Sequence, residues 1–283
     1  MRLTTTVPEY LALAAIRDDA EREIAWVEKY EAAQPAVFEV YYRAWGLTAR
    51  RAAAAHDVLR LAPTMAAVEA RARGLVAGAE RYFRSQGLID DDLDVVLMVG
   101  AHTSNGWVTE YAGRETLFLA LEFLGEEPFD AILVSHEAFH VAHDRHGAGR
   151  WPEDCAGALF QEGFAVAVSR DLHPGLGDGG YLWFDDTHGG WADDCAALVG
   201  RIARRALEGL DTSYDDPRVR ALFTVQESER ELPPRAGYWL GDLLLRGLLA
   251  EHPMGELLAW DHTTARAALA ARLTSLVETP SQG

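Results

Sequence analysis

Between Leu133 and His146 the chain reads Leu133-Val134-Ser135-His136-Glu137-Ala138-Phe139-His140-Val141-Ala142-His143-Asp144-Arg145-His146. On a helix, His136 and His140 leave the same face one turn apart, so both imidazoles can hold one metal ion. Glu137 stands beside them and need not be a ligand: in a metallohydrolase such a carboxylate accepts the proton of the attacking water. The H-E-x-x-H pattern is short, and its neighbours give it weight. Ile132, Leu133, Phe139 and Val141 turn this segment inward, and desolvating two imidazoles beside a carboxylate is costly unless a ligand compensates.

A third ligand is sought on the following helix, where Phe160-Gln161-Glu162-Gly163-Phe164-Ala165-Val166-Ala167 sets one carboxylate among apolar and small residues. Cys155, Leu159, Glu162 and Val166 share a face, so Glu162 projects from an apolar stripe and calls for a counter-ion. Two histidines, one glutamate and a water make the open coordination of a catalytic zinc site. The competing reading pairs Glu162 with Arg145 or Arg170. Gly163 is expected to let the H-E-x-x-H helix approach closely.

Other assignments use the same residues. His136, His140 and His146 fit the metzincin spacing, but His143 stands where that pattern needs a glycine to turn the chain. Met254 makes a poor Met-turn, and His143 and His146 are expected on the outer, C-terminal part of the helix, where cationic side chains suit its dipole. Two histidines and a carboxylate also form the facial triad of non-haem Fe(II) oxygenases, which makes Fe2+ the runner-up to Zn2+. Glu137 favours hydrolysis, because an oxygenase has no evident use for it. A non-catalytic binding protein stabilised by a metal is a third class, although closed structural zinc sites usually take four protein ligands, often cysteines.

The elements that must position these groups follow from periodicity and punctuation. From about Pro8 to Gln86 apolar residues recur at helical spacing, with Pro35, Gly46 and Pro63 marking expected helix ends. After Gly87 come two apolar, branched runs, Leu93 to Val99 and Thr116 to Phe123, divided by Asn105-Gly106 and Gly113, which reads as a small antiparallel or mixed sheet. Pro128-Phe129-Asp130 opens a helix over Ala131 to His146, closed by Gly147, and Pro152-Glu153-Asp154 opens another to about Leu172. Gly175 to Gly190 reads as a loop, and further helices are expected near Asp193 to Leu207, Ala236 to Glu251 and Thr263 to Val277. The expected domains are a helical region over 1–86 and a catalytic domain over 87–283. Sheet, metal helix and Glu-bearing helix in that order suit an extended peptide pairing with a strand edge.

Composition narrows the partners. The 283 residues carry 44 acidic and 26 basic side chains, a net charge of −18, which opposes phosphate backbones and anionic membranes. Lys29 is the only lysine, which disfavours P-loop and pyridoxal-phosphate chemistry. Gly175-Leu176-Gly177-Asp178-Gly179-Gly180 matches G-x-G-x-x-G literally but follows a helix and lies near Asp178, Asp185 and Asp186, which would repel a pyrophosphate. Two cysteines, Cys155 and Cys195, make no disulfide framework and are read as reduced. With neither a signal peptide nor a long apolar run, the expectation is a cytoplasmic protein that contacts neither nucleic acid nor membrane.

His136-Glu137-x-x-His140, followed after 21 intervening residues by Glu162-Gly163-x-Ala165, resembles the gluzincin class of zinc metallopeptidases. The resemblance is closest to a bacterial family described only as predicted zinc-dependent proteases, in which a Gly-Tyr-x-x-Gly helix start follows, here Gly237-Tyr238-Trp239-Leu240-Gly241. It covers about Val95 to Leu249. It implies a zincin-like α+β fold with a helical C-terminal half, zinc held by His136, His140 and Glu162, and Glu137 as general base and then acid. It also implies Tyr238 as a donor to the oxyanion, with Tyr181 and His188 of the Gly-rich loop as competitors. The substrate would be a peptide or small amide.

Overall fold

The computed structural model describes residues 1–146, 151–225 and 231–278. It is α+β, mainly helical with one small mixed sheet. The chain divides into two compact units, Met1–Ser85 with Ile89–Val141, and Gln86–Leu88 with Ala142–Gly283. The N-terminal helices thus group with the sheet, although composition changes near Gly87.

The first unit opens with strand β1 (Arg2–Thr5) and helices α1 (Val7–Leu13), α2 (Asp19–Ala25), α3 (Pro35–Ala44) and α4 (Arg51–Ser85). Strands β2 (Asp94–Met98), β3 (Gly106–Tyr111) and β4 (Arg114–Ala120) follow, and then helix α5 (Phe129–His146), within which the division falls. The strand order is β1-β2-β4-β3, with β1 parallel to β2, β2 parallel to β4, and β3 antiparallel to β4. The sheet is therefore mixed, the second of the two arrangements expected. The turn signals fixed only the β3–β4 hairpin, whose Ala112 (φ 53°) and Gly113 (φ 76°) both take the left-handed conformation of a two-residue turn. Beyond that hairpin, β4 inserts between β2 and β3. Val95 to Met98 and Leu117 to Ala120 are buried without alternation, as strands covered on both faces require. Strand β1 has only four residues, two of them threonines, and carries no comparable apolar run.

Helix α4 runs through Pro63, which had been expected to end it. Pro63 is exposed, so its ring lies on the solvent side of the helix and leaves the buried stripe uninterrupted. The buried stripe Val58, Met65, Val68, Ala72, Val76, Ala79 and Phe83 keeps helical spacing across it. This helix positions α5 at two points. Arg71 pairs with Asp130 in the first turn of α5, and Phe83 meets Phe139 edge-on, with ring centroids 6.5 Å apart. Asp130 also accepts the backbone N–H groups of Gly125 (3.1 Å) and Glu126 (3.3 Å). The shorter helices are tied to the end of β2: the Tyr30 hydroxyl donates to the Val99 carbonyl (2.7 Å), and the Tyr41 hydroxyl accepts the Ala101 N–H (2.8 Å).

The second unit is built around helix α6 (Cys155–Leu172), most of which is buried. Helices α7 (Asp178–Leu182), α8 (Trp191–Ala197), α9 (Val199–Glu208), α10 (Pro217–Phe223), α11 (Ala236–Leu249), α12 (Met254–Leu258) and α13 (His262–Glu278) follow. Asp154 caps α6 by accepting the Gly157 N–H at 2.8 Å, which meets one of the unpaired donors of a first turn. The expectation for Gly163 is corrected: it faces α11, not α5. A Cβ on Gly163 would lie 2.3 Å from the carbonyl carbon and oxygen of Gly241, so the two glycines let α6 and α11 touch backbone to backbone. Beside them Asp242 is fully buried and accepts from both Arg170 nitrogens (3.1 and 2.9 Å), while Arg246 adds a third contact at 3.1 Å. Among the described residues no helix is long and apolar enough to cross a membrane.

Candidate metal centre

Helix α5 presents His136, which is buried, and His140, which is half-buried, on one face. Their Nε2 atoms lie 3.4 Å apart, with the rings edge to face. Two nitrogens bound to one tetrahedral zinc at ~2.05 Å stand about 3.3 Å from each other, so this spacing suits a shared ion without adjustment. Glu162 on α6 completes a group in which one donor atom from each of His136, His140 and Glu162 lies within 4.8 Å of the others. Two neutral imidazoles and a carboxylate are a donor set that zinc and Fe(II) both accept.

Glu137 is half-buried and abuts the start of β3, the edge strand of the sheet. A Cβ on Gly106 would lie 2.8 Å from Glu137 Cγ and 3.2 Å from its Cδ. The glycine read in the sequence as a turn signal therefore also makes room for the proposed base.

Histidine 143 departs from expectation. It is 1% exposed and packs edge-on against Trp151 (5.1 Å) and near Phe160 (6.2 Å). Its ring has exchanged the outer helix face for an aromatic cluster. The His146 side chain, on which the metzincin spacing depends, and Gly147, read as the helix stop, lie outside the described residues.

Of the two arginines weighed as partners of Glu162, Arg170 is engaged elsewhere: it binds Asp242 and Asp178 (2.7 Å) and stacks over the Tyr181 ring at 4.3 Å. Tyr181 is buried and its hydroxyl is occupied, donating to the His173 carbonyl (2.6 Å) and accepting the Leu176 N–H (3.1 Å). His188 stacks flat on Trp183 at 3.9 Å with Nδ1 2.8 Å from Asp185. Tyr238 is half-buried in the first turn of α11, edge-on to Phe223 (5.7 Å) and beneath the Arg235 guanidinium (4.4 Å).

Tyr214 carried no motif and was missed in the sequence. Its segment runs along the first turn of α6, where Thr212 accepts the Cys155 N–H and the Tyr214 N–H donates to the Glu153 carbonyl (2.9 Å). Burial pushes the Tyr214 phenol up to about 12, and the Glu162 charge adds to the shift while Arg235 opposes it. Cys155 and Cys195 are buried free thiols, each pushed up to about 12 by burial, and neither belongs to the His136, His140 and Glu162 group.

No protein family, curated protein or solved structure matches the chain.

Proposed function

We propose that this chain is a zinc-dependent metallohydrolase of zincin-like architecture that cleaves an amide, in the first instance a peptide bond. The observation that carries this reading is the 3.4 Å separation of His136 and His140 Nε2, with a Glu162 oxygen in the same group. A zinc ion bound there supplies Lewis acidity, polarising a carbonyl oxygen and making water more acidic. Glu137, one residue from His136, takes the proton from the attacking water and returns it to the departing nitrogen. Its place against Gly106 sets it at the end of edge strand β3, where an extended peptide can add by main-chain hydrogen bonds. Tyr238, in the first turn of α11, donates to the oxyanion. Glu137 favours this reading over Fe(II) oxygenation, which needs no such base.

Elemental analysis tests the site. Purified protein exposed to zinc, or anaerobically to Fe(II), should hold near one zinc per chain, and His140→Ala and Glu162→Ala should lose it. Glu137→Gln should keep the metal and lose hydrolysis of any peptide that the wild type cleaves. Preferential iron loading would redirect the reading to oxygenase chemistry, and no stoichiometric metal would refute both.

A further inference from the structure

Arginine 235 has an unusual environment for a cation in a chain of net charge −18. Among the described residues its side chain makes no ion pair or hydrogen bond with any carboxylate. Its guanidinium lies instead against three aromatic rings, Tyr238 at 4.4 Å, Trp183 at 5.0 Å and Phe184 at 5.8 Å. Contact through ring faces leaves the in-plane N–H groups of a guanidinium available to a planar, bidentate acceptor.

The backbone holds this arrangement against a cost. Arg235 and Phe184 both have φ near 58°, a left-handed conformation that is unfavourable for a non-glycine residue, so each must be fixed by its surroundings. Trp183 is braced by the flat stack of His188, itself held by Asp185. Trp183 Nε1 is a second donor in the cluster, buried and without an acceptor among the described residues. Within the second unit the cluster continues towards the helix that carries Glu162: Tyr238 meets Phe223, Phe223 meets Tyr214 at 5.6 Å, and the Tyr214 N–H donates to the Glu153 carbonyl just before α6.

We propose that Arg235 is the anion-binding residue of a substrate subsite, selecting peptides or acylated amino acids with a free carboxylate. This deepens the hydrolase reading and rests on it for the identity of the substrate. One guanidinium fork matches one carboxylate in charge and geometry, whereas the near double charge of a phosphate monoester would be only partly compensated.

The test uses metal-free protein, so that no ion can capture the probe. An N-acetyl dipeptide with a free C-terminus and its C-terminal amide are titrated separately by calorimetry and tryptophan fluorescence. The acid should bind at least tenfold more tightly than the amide. R235Q should abolish that preference at unchanged circular dichroism, and R235K, which keeps charge without the planar fork, should retain part of it. Equal binding of acid and amide, binding of neither, or an R235Q protein that keeps the preference would overturn the proposal. If R235Q does not fold, the wild-type ratio and R235K decide alone, a ratio near one counting against it. The zinc-loaded wild type is then incubated with the same pair. Acid binding without cleavage would sink the hydrolase reading and leave the subsite, whereas cleavage of both at equal kcat/KM would leave the hydrolase and remove the subsite.

Discussion

Gly163→Ala should weaken the protein where intrinsic propensity says that it should strengthen it. Replacing a glycine inside a helix by alanine ordinarily gains ~1 kcal/mol. Here the new methyl would sit 2.3 Å from the carbonyl carbon and oxygen of Gly241 and 2.8 Å from its Cα, against an optimum of ~3.5–4.0 Å for carbon pairs. The atoms met are backbone, so no rotamer can yield and the two helices must part by about 1.2 Å. A radial gap of ~1 Å forfeits up to half of each pairwise attraction, and the seam includes the fully buried Leu159 and Leu240. Overpacking a core costs ~1–3 kcal/mol, so after the ~1 kcal/mol propensity gain a net loss of about 2 kcal/mol is expected. Gly74→Ala is the internal control, because Gly74 is exposed on α4 with nothing within 4 Å of its Cβ position. It should gain ~1 kcal/mol. Urea unfolding with unchanged m-values reads both. A Gly163→Ala protein as stable as the wild type would refute the backbone contact between α6 and α11.

Gly106→Ala should push Glu137 by roughly 1 Å, since its Cβ would lie 2.8 Å from Glu137 Cγ. A displacement of that size at a reacting group costs ~100-fold in rate, so kcat/KM on a cleaved peptide should fall by that order at unchanged zinc content; full activity would place the base elsewhere. Arg170→Met leaves the fully buried Asp242 with only Arg246 and should cost ~3–5 kcal/mol at neutral pH. Burial already raises the Asp242 pKa, and losing Arg170 raises it further, so the folded mutant binds a proton that the unfolded chain releases. Its deficit should therefore shrink as pH falls through the raised pKa towards ~4, the unfolded value, and a deficit independent of pH from 4 to 8 would contradict this. With both thiols pushed up to about 12, thiol reagent at pH 8 should label neither Cys155 nor Cys195 until the protein is unfolded, as mass spectrometry would read.

What the sequence made legible was local. Helix boundaries at Asp130 and Asp154 were readable because Pro and Asp announce first turns, and α5 and α6 begin close to where that punctuation places them. Pairing was not legible. The β4 run looks the same whether its neighbour is parallel or antiparallel, and β1 is too short and too polar to announce itself. Pro63 misled because it lies on the solvent side of α4, while the buried stripe on the other side continues past it. The candidate ligands could be proposed from i, i+4 spacing and one carboxylate on an apolar stripe. The partners of Gly163, His143 and Arg235 depend on which elements meet in space, and nothing near them in the chain records it.

The parallel pairing of β1 with β2 joins Arg2 to Asp94, which has a consequence for synthesis. At ~5–20 residues per second, β1 leaves the ribosome on the order of 5–20 s before its partner strand exists. Helices α1 to α4 can form in that interval, since they need only local contacts, whereas the sheet cannot begin. A nascent chain arrested before Asp94 should therefore be helical with its first strand unpaired. Whatever shields Leu3 during those seconds, a chaperone or the early helices themselves, acts on a species that the finished protein no longer contains.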